Sequence, residues 1–269
     1  MTNYAEMLDK IEALFIVLGE EVLALRQYDA LEVTTKLDHT DLVTAADRLV
    51  ETRLTELIST HWPSHSIRGE EGIGSVRRNS GFEWILDPID GTNPYASGMN
   101  HFSLSAGLTE NGNPVAGILC FPAQKKVLRV VRGQGVLMNE SSLKIKDCGP
   151  FLTGANLGFD FSMGGDRDQE RELFFRPVQG PVRYTFILGT FTGTLLAVLE
   201  NQLAAYVNPG ATCYDLGAGL LIAEEAGCAV AGFKGKPIDL SRPKSAIIVA
   251  RNKELLRALD DLLPESLYV

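Results

Sequence analysis

The chain has 269 residues, 45% of them hydrophobic and 22% charged, and a formal net charge of −9. That suffices for one large domain or two ordinary halves with a full core, and the acidic balance argues against nucleic acid or an anionic membrane as partner. The four scattered cysteines, Cys120, Cys148, Cys213 and Cys228, offer neither a zinc spacing nor a disulfide framework.

Leu8, Ile11, Phe15, Leu18, Val22 and Leu25 recur at spacings of three and four, which predicts an amphipathic first helix. The charges at Glu6, Asp9, Lys10 and Glu12 exclude a signal-peptide core. No stretch approaches the roughly 18 apolar residues of a membrane span, so a cytoplasmic setting is expected. A short β-prone run, Val33 to Thr35, ends in Lys36. A second helix is predicted from about Asp41 to Thr60, stopped by His61-Trp62-Pro63. Asp47 falls inside it and by itself reads as an exposed helical carboxylate.

Ser66 to Arg68 reads as a strand leading to Gly69-Glu70-Glu71-Gly72, an acidic loop. Trp84 to Leu86 reads as a buried strand running into Asp87-Pro88-Ile89-Asp90-Gly91-Thr92. Pro88 restrains Asp87 to an extended conformation, and Gly91 permits a sharp turn. Two carboxylates beside a Gly-Thr turn could hold a divalent cation and a phosphate together; a solvated acidic turn has the same dipeptides. A short helix is expected to Ser97, then strands at Ser103–Thr109, Pro114–Phe121 and Lys126–Val131 as an antiparallel meander.

The division into halves is expected at 1–149 and 150–269. In the second, helices are predicted at Asp166–Arg176, Gly189–Glu200, Tyr214–Ala226 and Asn252–Leu263, with strands at Leu203–Val207, Cys228–Gly232 and Ser245–Ala250. This alternation favours a mixed sheet covered by helices. Asp215, in the first turn of a predicted helix, reads alone as a capping group.

Four blocks in order, Asp41-Leu42-Val43-Thr44-Ala45-Ala46-Asp47, Gly69-Glu70-Glu71-Gly72, Asp87-Pro88-Ile89-Asp90-Gly91-Thr92 and Tyr214-Asp215 with Glu225-Ala226-Gly227, resemble the inositol monophosphatase family of metal-dependent phosphatases. The resemblance implies an α+β fold, a layered αβαβα sandwich: an N-terminal α+β half with an antiparallel sheet, a C-terminal α/β half with a mixed sheet, and the site between them. It implies metal ligation by Glu70, Asp87, Asp90, Asp215 and the Ile89 carbonyl, with two or three Mg2+ per site. All-oxygen ligation suits that hard cation. Asp47 and Thr92 would position and deprotonate the attacking water, assisted by Glu70. The N–H groups of Gly91 and Thr92 would bind phosphate, Lys36 would offset the carboxylates, and Glu71 would lie in an outer shell. The family also implies a homodimer and a small phosphorylated substrate.

Departures from the family concern that substrate. Asn208 replaces a glutamate that contacts a sugar hydroxyl, and Phe191 stands where alanine is common. Both are expected to line the substrate pocket with Gly189 and Thr190. An inositol or other sugar phosphate, histidinol phosphate, and a 3′-phosphoadenosine nucleotide stacked on Phe191 all remain open, as does an interaction role with weak catalysis.

Overall fold

Side chains alternate across each strand, and here both faces are apolar, so both sheets must be covered on two sides. The structure is a computed structural model describing residues 2–27, 34–35, 42–149, 152–161, 171, 174, 180 and 182–263. Helix α1 (Tyr4–Gln27) and a two-stranded pair, β1 (Thr34–Thr35) with β2 (Leu42–Val43), precede α2 (Ala45–His61). The predicted second helix therefore starts four residues late. Thr44 is extended, caps α2, and closes a capping box with Asp47.

The first sheet has seven strands in chain order: β3 (Ser66–Gly69), β4 (Phe82–Asp90), β5 (Ser103–Glu110), β6 (Asn113–Phe121), β7 (Lys126–Val131), β8 (Val136–Met138) and β9 (Ser141–Leu143). All neighbours are antiparallel except β3 and β4, which run parallel, so the sheet is mixed. Trp84 and Leu86 face α1 and α2, whereas Ile85 between them faces the other side.

The second sheet contains β10 (Asn156–Phe159), β11 (Tyr184–Phe186), β12 (Ala205–Thr212), β13 (Ala229–Ala231) and β14 (Lys244–Ala250), in the order β11-β10-β12-β14-β13. Between the sheets lie α4 (Phe191–Leu199) and α5 (Cys213–Glu225), and α6 (Lys253–Leu262) covers the outer face of the second. Ile247 and Val249 of β14 enter the central core, while Ile248 and Ala250 enter the outer one. This is the αβαβα layering. Helix α5 comes from the second half yet packs on β4, β5 and β6, so helices cover both faces of the first sheet. A Cβ on Gly107 would sit 2.1 Å from the Gly217 carbonyl oxygen; glycine is what lets α5 lie against β5.

Strands β8 to β11 were not foreseen; they are three or four residues long, too short for a periodic signal. The predicted helix at Asp166–Arg176 lies, apart from residues 171 and 174, outside the described residues. Among the described residues, no helix is long and apolar enough to cross a membrane.

Candidate active site

The site grows from the end of β4. In a regular strand, residues three apart point to opposite faces. Here Asp87 stands opposite Ser105 and Asp90 opposite Ser103, so three residue steps on β4 match two on β5. This bulge, with Pro88 inside it, brings both carboxylates to one side. Gly91 follows with φ 90° and ψ 44°; a Cβ there would lie 2.8 Å from the His101 carbonyl oxygen. The chain then enters α3 (Thr92–Ala96).

Asp215 arrives from the opposite half at the start of α5. It closes a second capping box: the Thr212 N–H donates to its Oδ2 at 2.6 Å, and the Asp215 N–H donates to Thr212 Oγ1 at 3.1 Å. Capping and the cluster are thus the same residue's two roles. Oxygen atoms of Asp87, Asp90 and Asp215 lie within 4.8 Å of one another. Glu70 follows β3, its N–H donating to the Leu86 carbonyl at 3.1 Å, which sets it beside Asp87. Burial, then the charges of Glu70, Asp90 and Asp215, push the Asp87 carboxyl well above the usual range. Burial and the charge of Asp90 do the same to Asp215. Asp87 Oδ1 is buried with no hydrogen-bond partner. An orphaned carboxylate oxygen among other carboxylates is the fit a hard divalent cation requires.

Asp90 joins the halves. Its Oδ1 accepts from the Phe191 N–H at 3.1 Å; its Oδ2 accepts from the Thr190 hydroxyl at 2.8 Å and from both the N–H and the hydroxyl of Thr192. Burial raises its pKa and these donors oppose the rise. Asp47 is buried, 1% exposed, which corrects its reading as an exposed helical carboxylate. Its Oδ2 takes the Thr44 N–H and hydroxyl, each at 2.7 Å, and its Oδ1 faces the Thr92 hydroxyl at 3.4 Å. The same hydroxyl lies 3.1 Å from the Ile89 carbonyl oxygen.

The second half brings Gly189, Thr190, Phe191 and Asn208, the expected pocket residues, to one cleft with the acidic cluster. The Phe191 ring is 2% exposed, packed against Tyr206 and over Gly219, so it belongs to the central core and offers no face for a base. Its N–H points toward Asp90, and the residue lines the cleft. Thr190 caps α4 and gives its hydroxyl to Asp90. Asn208, inside β12 at a bulge, donates to the Tyr206 hydroxyl at 2.8 Å and accepts from the Gly210 N–H at 2.9 Å. Gly189 donates its N–H to Asp160 Oδ1 at 3.0 Å. Lys36 lies outside the described residues.

Two carboxylates went unforeseen. Glu51, fully buried, accepts from the N–H groups of Glu71 at 2.8 Å and Ile73 at 2.6 Å, and so holds the loop that carries Glu70. Its signal was available: it follows Asp47 by four residues, one helical turn along the same face. Asp160 follows β10, a strand the sequence did not reveal. It accepts from the Tyr206 hydroxyl at 2.8 Å, and burial pushes its carboxyl up to about 7. Together these elements enclose a cleft of about 220 Å3 between the sheets, lined among others by Glu70, Asp90, Thr92, Asp160, Asn208 and Asp215.

Residues 3–266 match the profile of the inositol monophosphatase family. The inositol-1-monophosphatase of Bacillus subtilis is 28% identical over 239 residues, 88% of this chain and 89% of its own. The Nus factor SuhB of Pasteurella multocida is 28% identical over 211 residues, 77% of each chain. The solved structure of the extragenic suppressor protein suhB from Bartonella henselae superposes with a TM-score of 0.88 at 21% identity, over 97% of this chain and 99% of that one, a likeness of fold.

Proposed function

We propose that this phosphomonoesterase, which belongs to the inositol monophosphatase family, hydrolyses a small phosphate monoester with magnesium as its cofactor. The observation that carries the reading is the orphaned Oδ1 of Asp87, beside Asp90 and Asp215. Glu70, Asp87, Asp90, Asp215 and the Ile89 carbonyl would hold the cation. When bound, it supplies positive charge that offsets the phosphate dianion and acidifies a water.

The remaining work falls to the chain itself. The Thr92 hydroxyl reaches both the Ile89 carbonyl at 3.1 Å and Asp47 Oδ1 at 3.4 Å; with that carbonyl taken up in holding the cation, its proton would pass to Asp47 while its oxygen accepts one from the attacking water. Thr44 anchors Asp47 at both its N–H and hydroxyl, which keeps that carboxylate aimed at Thr92. The N–H groups of Gly91 and Thr92 take phosphate oxygens at a turn only glycine fits. Glu70 orients the water from the other side, with Glu71 and Glu51 behind it. The reading includes a homodimer, as the family resemblance implies, and the cytoplasmic setting expected from the sequence.

The test is phosphate release from inositol 1-phosphate, fructose 1,6-bisphosphate, histidinol phosphate and adenosine 3′,5′-bisphosphate, with magnesium and with chelator. Magnesium-dependent release from at least one ester is expected. Release that persists in chelator, or no release from any, would overturn the proposal. The buried Phe191 ring removes the stacking support for the adenosine ester.

A further inference from the structure

Asp160 is a buried carboxyl on the cleft wall that the hydrolytic chemistry leaves unused. Among the described residues, the hydrogen-bond partners of its side chain are neutral donors: the Gly189 N–H at 3.0 Å, the Tyr206 hydroxyl at 2.8 Å and, at 3.5 Å, the Thr194 hydroxyl. The Thr194 hydroxyl lies nearer the Thr190 carbonyl oxygen, at 2.7 Å, which leaves two firm donors. The chain of donors has a direction. Asn208 Nδ2 donates to Tyr206, and Tyr206 donates to Asp160. A chain polarised this way ends on an acceptor and favours a negative charge there. The structure thus places on the wall a carboxyl that only dipoles support, held toward its neutral form by burial and drawn to its charged form by an approaching cation.

A buried charge without a charged partner is costly. Asp160 is nevertheless 7% exposed, and it lines the cleft beside Phe161. The Phe161 ring packs edge-on against Phe159 at 5.2 Å between centroids, so the two neighbours on the wall are a carboxylate and an anchored aromatic ring. That pair suits a cationic donor: the carboxylate takes an ammonium N–H, and the ring's π face favours positive charge. Asn208 cannot serve instead, because its amide is bound to Tyr206 on one side and Gly210 on the other.

From this juxtaposition we propose that Asp160 is a specificity-determining residue that binds a protonated amine on the alcohol part of the substrate. The substrate class is an amino-alcohol phosphate. The inference rests on the phosphatase reading and narrows it. A neutral polyol could also donate to Asp160, and the experiment separates the two.

The test compares wild type, Asp160→Asn and the charge-keeping Asp160→Glu in the presence of magnesium. The probes are O-phosphoethanolamine and histidinol phosphate against glycerol 2-phosphate and inositol 1-phosphate, followed by turnover and by calorimetric binding. Wild type should prefer the amine-bearing esters. Asp160→Asn should lose about tenfold or more on them, mainly in KM and Kd, and under about threefold on the neutral ones, the scale of one charge-assisted hydrogen bond. Asp160→Glu should recover part of the preference. Equal losses on all esters, losses confined to the neutral polyols, or wild-type binding that ignores the amine would each overturn the proposal. Turnover of p-nitrophenyl phosphate, which lacks the alcohol contacts, reports on the phosphatase reading separately. If that turnover is absent while the binding preference still follows Asp160, the hydrolytic reading fails and the amine site stands.

Discussion

Asp87 is the residue whose proposed role in metal binding comes most clearly at the expense of the metal-free fold. Its carboxylate is buried, lacks a partner on Oδ1, and stands among Glu70, Asp90 and Asp215. Replacing it with asparagine removes a buried like charge and keeps the shape. Asp87→Asn should therefore raise the melting temperature of the metal-free protein by several degrees, as relief of active-site strain commonly does. The same change should cut phosphate release by about a hundredfold or more, since metal charge stabilisation is worth several kcal/mol. A lower melting temperature in that variant would show that Asp87 carries a structural bond missing here. Asp90→Asn is the poorer probe, because Asp90 also receives four donors from residues 190–192 and would disturb the start of α4. Asp160 adds a pH dependence of its own. Its folded pKa, about 7, lies above its ordinary value of 3.8, so the folded state holds that proton more tightly. The stability it contributes is complete below about pH 4 and is lost as pH rises toward 7. Between pH 5 and pH 8 the metal-free wild type should lose on the order of 2 kcal/mol more than Asp160→Asn, read from denaturant melts. Parallel losses in both would remove Asp160 from the account.

At the scale of elements, the same device appears twice. Thr44-x-x-Asp47 opens α2 and Thr212-x-x-Asp215 opens α5, each a capping box whose aspartate faces the site. Helix starts fix these carboxylates more firmly than a loop would. The signature was legible in the sequence, yet the start of α2 was misplaced because Leu42 and Val43 continue its apolar pattern while forming a strand. The bulge in β4 was not read: Pro88 between two aspartates has the composition of a turn, whereas the strand runs on to Asp90. The positions of Asp160, Tyr206 and Phe191 were not legible, because strand β10 is four residues long and long-range pairing decides which way a ring points. Loop 69–73 depends on α2 through Glu51, and a Cβ on Gly69 would lie 2.3 Å from the Glu51 carboxyl carbon. Gly69→Ala should displace that carboxylate and with it Glu70. We expect weaker magnesium affinity by about tenfold, the usual cost of disturbing a ligand's support, measured by titrating activity with magnesium. Unchanged affinity would mean the loop keeps Glu70 in place without Glu51.

Across the whole molecule, the layers explain why the site lies where it does. Helix α5 packs on the first sheet while its chain neighbours β12 and β13 belong to the second, so its N-terminus delivers Asp215 to the end of β4. The residues proposed to handle phosphate come mostly from the first half, and the wall that would select the alcohol comes from β10 and β12. Sequence blocks pointed to the first group, whose carboxylates do cluster, because ligand chemistry restricts residue type. They revealed less of the second, because the roles of Asp160 and Asn208 depend on each other through Tyr206. The central claim is that the Asp87 cluster binds magnesium for ester hydrolysis. Its most direct test is the rate of phosphate release against magnesium concentration for wild type and a folded Asp87→Asn. The account predicts saturable activation in wild type and none in the variant at any concentration. Equal activation of both proteins would contradict it.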